Sequence, residues 1–141
     1  MNDSTAVLYT DGASRGNPGQ AGAGVILFNQ EGIKQFESKA YLGRCTNNEA
    51  EYRALILGLE EALKLKYRKI NIHLDSELVV RQLEGVYKIK NANLGRFAAE
   101  AKKLLSFFDA YTIQHVPRER NREADNLANE AIDEYNNSRG Q

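Results

Sequence analysis

Residues 8–19 read LYTDGASRGNPG, a short apolar run that ends on an acid and then becomes rich in glycine. The segment TAVLYTD (5–11) is typical of a strand, and the Asn-Pro-Gly signal in the loop expected over residues 12–19 predicts a turn. In the ordinary interpretation Asp11 is a solvated turn residue. In the alternative, a rigid strand holds this carboxylate in a site, and the small residues after it leave room for a large ligand.

Two more strands follow this turn, and then the periodicity changes. AGAGVILF (21–28) and IKQFESKAYL (33–42), separated by a turn at NQEG, predict an antiparallel meander with the first strand. From Thr46 onward, apolar residues at helical spacing predict one long amphipathic helix. KINIHLD (69–75) and YTIQHV (111–116) predict a fourth and a fifth strand, with two helices between them and one helix after them.

This order of elements predicts an α/β fold with a five-stranded mixed sheet. The first three strands are expected to be antiparallel, with helices on both faces of the sheet. The charged stretch PRERN (117–121) is expected to be a loop from which Asn121 caps the last helix. Helical spacing predicts that one face of this helix carries Ala124, Leu127, Ala128, Ala131 and Ile132. Residues 1–141 are predicted to form a single domain, with a frayed tail over about 136–141.

Composition limits the class of protein. A hydrophobic fraction of 42% with 27% charged residues is typical of a globular domain. The single cysteine, the polar N-terminal sequence and the lack of a membrane-spanning stretch predict a cytoplasmic protein without disulfides. Because 19 Lys and Arg balance 19 Asp and Glu, the zero net charge argues against binding nucleic acid by bulk electrostatics alone.

Four carboxylates stand where secondary structure would fix them. Asp11 and Asp75 end strands, Glu51 lies early in the long helix, and Asp125 lies in the first turn of the last helix. Each alone has an ordinary explanation, such as a turn residue or an acid favoured by the helix dipole. Together, at the edge of one sheet, they would repel each other unless divalent cations such as Mg²⁺ or Mn²⁺ offset their charge.

The segments YTDGASRGNPGQAGAGVIL, TNNEAEYRALILGLEEAL, LDSELVVRQL and RNREADNLANEA occur in this order over nearly the whole chain. In these motifs the sequence resembles type 1 ribonuclease H. The resemblance implies a ribonuclease H-like fold and an endonuclease that hydrolyses the RNA strand of RNA/DNA hybrids. It also implies two Mg²⁺ ions, with Mn²⁺ as an alternative, and products with 5′-phosphate and 3′-hydroxyl ends. The implied metal ligands and catalytic residues are Asp11, Glu51, Asp75 and Asp125, with Glu51 chosen over Glu49 because it follows Asn48 by three residues.

The same resemblance implies residues that contact the hybrid. Small residues after Asp11 would let the RNA strand approach the backbone, where its 2′-hydroxyls could be recognised. An equivalent of Thr46 helps to hold a phosphate of the DNA strand, although turn and cap chemistry would also explain a threonine there. The implied substrate-binding residues are Gly12, Ala13, Ser14, Asn17, Thr46 and Asn48.

The sequence departs from the family pattern in two places. Relatives with a basic handle carry a long insertion rich in Lys and Trp where this chain has only VYKIKNAN (86–93), so Lys88 and Lys90 are expected to contribute to binding. The loop before the last acid lacks the histidine of many relatives, and Arg118 or Glu119 could take its place. Neither a separate hybrid-binding domain, nor an obligate protein partner, nor a membrane contact is expected.

Three other functions would require residues that differ from those of this chain. A 3′ to 5′ exonuclease of related fold would carry Asp-x-Glu on the first strand, where this chain has Asp11, Gly12 and Ala13. A nucleotide-binding loop at GQAGAG lacks the Gly-Lys-Ser/Thr that should follow. A non-catalytic hybrid-binding domain of the same fold should have lost at least one of the four acids. Cys45 is expected to be a small, half-buried residue and not a nucleophile.

Overall fold

A computed structural model describes residues 5–139, which fold into five strands and four α-helices. The strands are β1 (Thr5–Gly16), β2 (Gly19–Phe28), β3 (Lys34–Cys45), β4 (Lys69–Leu74) and β5 (Ala110–His115). The helices are α1 (Asn47–Lys64), α2 (Glu77–Leu83), α3 (Ala92–Leu105) and α4 (Arg122–Arg139), and a 3₁₀ turn (Arg118–Asn121) precedes α4. None of the helices in this part of the chain is long and apolar enough to cross a membrane.

The sheet has the strand order β3-β2-β1-β4-β5. β1 pairs antiparallel with β2, and β2 with β3, whereas β4 pairs parallel with both β1 and β5. This confirms the predicted mixed sheet with three antiparallel strands. Because Tyr9 of β1 pairs with His73 of β4, Asp11 and Asp75, each two residues further along, lie at the same edge of the sheet.

Helices cover both faces of the sheet, as predicted. On one face the alternate residues Leu8, Val25 and Ile72 are buried in the main core together with side chains of α1 and α3. On the other face α4 packs mainly against β2, and its predicted apolar residues are all buried. These residues are Ala124, Leu127, Ala128, Ala131 and Ile132.

The glycines of GQAGAG position α4. A Cβ atom at Gly22 would lie 2.1 Å from the carbonyl oxygen of Ala128, and one at Gly24 would lie 2.1 Å from that of Ala124. The helix backbone therefore rests directly on the strand, at a distance that a side chain would prevent. Since Gly24 pairs with Asp11 across the β1–β2 ladder, this contact also places Asp125, the residue after Ala124, beside the end of the sheet.

The predicted loop over residues 12–19 is mostly strand. β1 continues to Gly16, which pairs with Gly19, so only Asn17 and Pro18 connect β1 to β2, and the peptide bond between them is cis. Glycines and small residues predict a loop from local propensity, but here the neighbouring strand supplies the hydrogen bonds that keep them extended. Asp11 consequently lies within a long strand and not at its end.

The region around α4 corrects two further predictions. Residues 118–121 form a 3₁₀ turn, and no capping hydrogen bond from the Asn121 side chain is found, because this side chain contacts Thr10 and Asp75. Residues 136–139 belong to α4 and not to a frayed tail, and Asn136 exchanges hydrogen bonds with Gln20 at 2.8 and 3.1 Å. The rest of the predicted tail, residues 140–141, lies outside the described part of the chain.

Candidate active site

Three carboxylates meet at the edge of the sheet where β1 and β4 lie side by side. Asp11 comes from β1, Glu51 from the first turns of α1, and Asp75 from the position directly after β4. One carboxylate oxygen of each lies within 4.8 Å of the others. Asp11 is only 4% exposed, so this cluster is set into the protein and does not lie on an open surface.

Gly12 brings the first turns of α1 against β1. A Cβ atom at Gly12 would lie 2.2 Å from the backbone carbon of Ala50 and 2.4 Å from the backbone nitrogen of Glu51. The backbone N–H of Gly12 donates to Oε1 of Glu51 at 3.2 Å. The missing side chain is therefore required by helix packing, whereas the sequence had suggested that this glycine makes room for a ligand.

The choice of Glu51 over Glu49 has a structural basis. Thr46 and Glu49 form a capping box, in which the Thr46 hydroxyl accepts from the Glu49 N–H at 3.2 Å and Glu49 Oε1 accepts from the Thr46 N–H at 2.9 Å. Glu49 is thus occupied at the helix N-terminus. Two residues later, Glu51 points to the other acids.

The acids of this cluster oppose each other's charge. Burial, followed by repulsion from Glu51 and Asp75, raises the pKa of Asp11 to about 11. Burial, followed by repulsion from Asp75, raises the pKa of Glu51 to about 8. Without a cation, the protein therefore holds protons on carboxyl groups that would be ionised in water at pH 7.

Asp125 lies outside the tight group of three acids but lines the same cleft. The cleft has a volume of about 470 Å³, and a guanidinium nitrogen of Arg118 lies 3.7 Å from Oδ2 of Asp125. Its lining residues are Asp11, Gly12, Ala13, Ser14, Asn47, Glu51, Asp75, Arg118, Asp125 and Asn129. The structure therefore brings all four predicted acids, together with Arg118, to one cavity.

The other predicted contact residues are divided between this cleft and its surroundings. Asn17 lies at the hairpin tip, where its Oδ1 accepts from the backbone N–H of Asn47 at 3.0 Å. Thr46 caps α1, and neither Thr46 nor Asn48 is among the residues that line the cleft. Glu119 lines a different pocket, which also contains Tyr9 and Phe28, and is not among the residues that line the acidic cleft.

Two further observations were not predicted from sequence. Asn121 is 1% exposed, and its Nδ2 donates to the carbonyl oxygen of Thr10 at 2.9 Å and to Oδ2 of Asp75 at 3.2 Å. It therefore connects two of the strands that carry the acids.

Cys45 is fully buried and not half-buried, and a guanidinium nitrogen of Arg53 donates to its sulfur at 3.1 Å.

Comparison with known proteins agrees with this geometry. A family model described as reverse transcriptase-like matches residues 9–131. Ribonuclease HI of Halobacterium salinarum is 46% identical over 126 residues, which cover 89% of this chain. The chain belongs to the ribonuclease H family. The crystal structure of the RNase H1 from the same archaeon superposes with a TM-score of 0.90 at 45% identity, covering 92% of this chain and 98% of that one.

Other members of the ribonuclease H family are similarly close. LC11-RNase H1, solved in complex with an RNA/DNA hybrid, superposes with a TM-score of 0.88 at 41% identity, covering 92% of this chain and 98% of that one. The bifunctional protein Rv2228c of Mycobacterium tuberculosis is 44% identical over 128 residues, or 90% of this chain. The chain spans only 63% of the length of the Halobacterium protein and 35% of the mycobacterial one.

Proposed function

We propose that this protein is an endonuclease that hydrolyses the RNA strand of RNA/DNA hybrids, using divalent cations held by Asp11, Glu51, Asp75 and Asp125. The observation that carries the proposal is the convergence of three carboxylates within 4.8 Å in a half-enclosed cleft. Membership of the ribonuclease H family supports the reaction. The hybrid in the LC11-RNase H1 complex supports the substrate class.

The residues of the cleft fit divalent cations. Its donors are carboxylate oxygens, which suit hard ions such as Mg²⁺ and Mn²⁺ and not soft metals. Burial and repulsion between the acids raise the pKa of Asp11 and Glu51, so a bound cation would offset a negative charge that these surroundings disfavour. We propose Mg²⁺ as the working ion, with Mn²⁺ able to replace it.

Bound divalent cations would activate a water for in-line attack on the phosphodiester and stabilise the departing 3′ oxygen. Before they bind, Asp11 has to lose the proton that burial and its neighbours hold on it. Asn121 holds Asp75 beside Thr10 of β1 while this charge changes, because its two donated hydrogen bonds connect them. Hydrolysis breaks the bond between phosphorus and the 3′ oxygen. Water supplies the oxygen that joins the phosphate and the proton that makes the 3′ oxygen a hydroxyl. The phosphate stays on the 5′ oxygen of the downstream fragment.

The strand wall of the cleft supplies the contacts that we propose for the RNA. Ala13 and Ser14 are half-buried cleft residues with small side chains, so backbone groups beside them are accessible to 2′-hydroxyls. The Ser14 hydroxyl donates to the carbonyl oxygen of Cys45 at 2.8 Å, which holds this wall against β3. We propose that Asn17, Asn48 and Thr46 contact the hybrid further along, and that Arg118, which is 78% exposed, contacts a phosphate.

The proposal extends to the setting in which the enzyme works. We propose that the sheet and its helices act as one ribonuclease H domain and need no protein partner for cleavage. A single buried cysteine supports a reducing compartment such as the cytoplasm.

The test is a cleavage assay with end mapping. Labelled RNA/DNA, RNA/RNA and DNA/DNA duplexes are incubated with Mg²⁺, with Mn²⁺ and with chelator. We expect internal cuts in the RNA strand of the hybrid, dependent on metal, with 5′-phosphate and 3′-hydroxyl ends. Products that end in a 2′,3′-cyclic phosphate would contradict the proposal, because they require the 2′-hydroxyl of the RNA as the nucleophile.

A matched pair of variants separates catalysis from hybrid binding. Glu51→Gln should bind the hybrid but lose cleavage by at least about a hundredfold, as expected for removal of a metal ligand. Glu49→Gln, two residues earlier, should cleave like wild type, because glutamine also completes a capping box. If wild type binds hybrid tightly in Mg²⁺ without cutting it, the alternative of a non-catalytic hybrid-binding domain is correct.

A further inference from the structure

Beside Asp125, in the same cleft, lies an asparagine that the family resemblance did not single out. Asn129 follows Asp125 by one turn of α4 and lines the same cleft. Its Nδ2 donates to the backbone carbonyl of Asp125 at 3.1 Å and to Oδ1 of the Asp125 side chain at 3.3 Å. One face of the Asp125 carboxylate is therefore held by this amide.

Asn129 is in turn held by Arg15, which lies near the end of β1. Nη2 of Arg15 donates to Oδ1 of Asn129 at 3.2 Å and to its backbone carbonyl at 3.3 Å. Nη1 of the same guanidinium pairs with Asp133 at 2.7 Å. The Arg15–Asp133 pair is solvent-exposed and contributes little by itself. The contacts to Asn129 give Arg15 a second role.

The chemistry of the three groups permits one orientation of the amide. A guanidinium only donates hydrogen bonds and a carboxylate only accepts them, whereas the asparagine amide offers one oxygen and one NH₂ group. With Oδ1 towards Arg15 and Nδ2 towards Asp125, both contacts are attractive. Turning the amide by half a rotation would set NH₂ against the guanidinium and oxygen against the carboxylate. Arg15 thus selects the donor orientation that Asp125 requires.

Asp125 depends on such support more than the other acids do. Asp11, Glu51 and Asp75 form the tight group, whereas Asp125 lies outside it, where it interacts with Asp11 and approaches the exposed Arg118 at 3.7 Å. Partners that orient a metal-binding carboxylate typically change metal affinity or activity by about 10- to 100-fold when removed.

We propose that Asn129, locked by Arg15, is a positioning residue that orients Asp125 for cation binding. This inference rests on the proposed metal site. It also connects two elements, because the strand that carries Asp11 reaches across to the helix that carries Asp125. Removing either partner lets the Asp125 carboxylate rotate and weakens the binding of divalent cations.

The experiment measures metal binding without substrate. Thermal melts over a range of Mg²⁺ and Mn²⁺ concentrations give the concentration at half-maximal stabilisation, for wild type and variants. Asn129→Ala should raise this concentration by about 10- to 100-fold. Since alanine is the best helix former at this position, the variant is expected to fold, and its melt in chelator checks this. Asn129→Leu, similar in size to asparagine, serves as the second variant.

Arg15→Gln and a double-mutant cycle test the orientation argument. Arg15→Gln should raise the half-maximal concentration in the same direction by a smaller factor. The double variant Arg15→Gln/Asn129→Ala should match Asn129→Ala within about twofold, because Arg15 acts through Asn129. Asp133→Asn is the matched control, since it removes only the ion pair on the far side of the guanidinium and should leave metal binding unchanged.

Several outcomes would overturn the inference. These are an unchanged metal requirement in Asn129→Ala and Asn129→Leu, independent effects in the double variant, or a shift in Asp133→Asn as large as that in Arg15→Gln. A wild type that gains no stability from either ion would also overturn it. If wild type responds to metal as expected but cleaves no hybrid, the proposed function fails while the positioning role stands.

Discussion

At Asp11, folding and the proposed function oppose each other. The residue is buried beside Glu51 and Asp75, and every interaction found for it among residues 5–139 that shifts its pKa raises it. A buried charge without compensation destabilises the folded state. Such a residue is expected to be replaceable without loss of stability when metal is absent, although the activity depends on it.

We predict that Asp11→Asn abolishes cleavage and leaves the metal-free protein as stable as wild type, or more stable by about 1 kcal/mol. Asparagine keeps the shape of the side chain and removes the charge. Thermal melts in chelator and in Mg²⁺ measure both effects, and Mg²⁺ should stabilise wild type more than the variant. An Asp11→Asn variant that cleaves hybrid and responds normally to Mg²⁺ would show that Asp11 is not a metal ligand.

The raised pKa values also predict how stability depends on pH. Asp11 and Glu51 bind protons more tightly in the folded chain, with pKa values of about 11 and about 8, than in the unfolded chain. Their stabilising contribution is complete below about pH 4, where both states are protonated. It is lost as the pH rises towards the folded-state pKa values.

Urea unfolding of the metal-free protein between pH 5 and pH 8 should therefore show a free energy of unfolding that falls with rising pH. The slope should be shallower in Asp11→Asn, which lacks one of the two groups. Equal slopes in wild type and variant would contradict the assignment of the buried proton to this cluster.

Among the secondary-structure elements, α4 packs closely on β2 because glycines of β2 leave room for its backbone. Gly24→Ala should push α4 away from β2, because the added Cβ would lie 2.1 Å from the carbonyl oxygen of Ala124. We expect destabilisation by about 1–3 kcal/mol, as for other overpacked sites. Cleavage should also fall, because Asp125 moves with the helix. Urea unfolding and kcat at saturating Mg²⁺ are the measurements.

Gly95→Ala in α3 is the matched control for this substitution. Its Cβ would meet nothing within 4 Å, so it should stabilise the protein by about 0.5–1 kcal/mol through helix propensity and leave kcat unchanged. If Gly24→Ala were equally harmless, close contact between α4 and β2 would not be what positions Asp125.

The elements could be predicted from sequence because their patterns are local. Alternating Ile70, Ile72 and Leu74 predicted β4, and helical spacing predicted the buried face of α4. The extension of β1 to Gly16 could not be predicted, because it depends on pairing with β2, which local propensity does not report.

The same distinction applies to the candidate site. The four acids were found from the family motifs and from their places at strand ends and helix starts. The roles of Arg15, Asn121 and Asn129 were missed, because each contacts a partner that is distant in sequence or has several ordinary functions on a helix. The hydrogen bonds of Arg15 to Asn129, and of Asn121 to Thr10 and Asp75, form only once these distant segments pack together.

At the scale of the whole molecule, charge is balanced in number but not in space. Four acids, Asp11, Glu51, Asp75 and Asp125, line one cleft. Lys88 and Lys90 lie in the connection between α2 and α3, where Val86 and Tyr87 are also exposed. A protein of zero net charge gains little from long-range attraction to nucleic acid. Hybrid binding should therefore depend on a few local phosphate contacts and weaken as salt rises, with a slope set by the number of those contacts.

We predict that a lysine-rich handle grafted between Tyr87 and Asn93 lowers KM more than it raises kcat. Added phosphate contacts would hold the substrate equally well before and during the reaction, and such uniform binding acts on KM. Each phosphate contact should also steepen the logarithmic dependence of affinity on salt by about 0.9 if the hybrid behaves like B-form duplex. A handle of equal length with glutamine in place of lysine is the control. Steady-state cleavage at salt concentrations from roughly 50 to 200 mM measures both effects. If KM is the same with either handle, then the binding of hybrid by this protein is not limited by cationic contacts near α3.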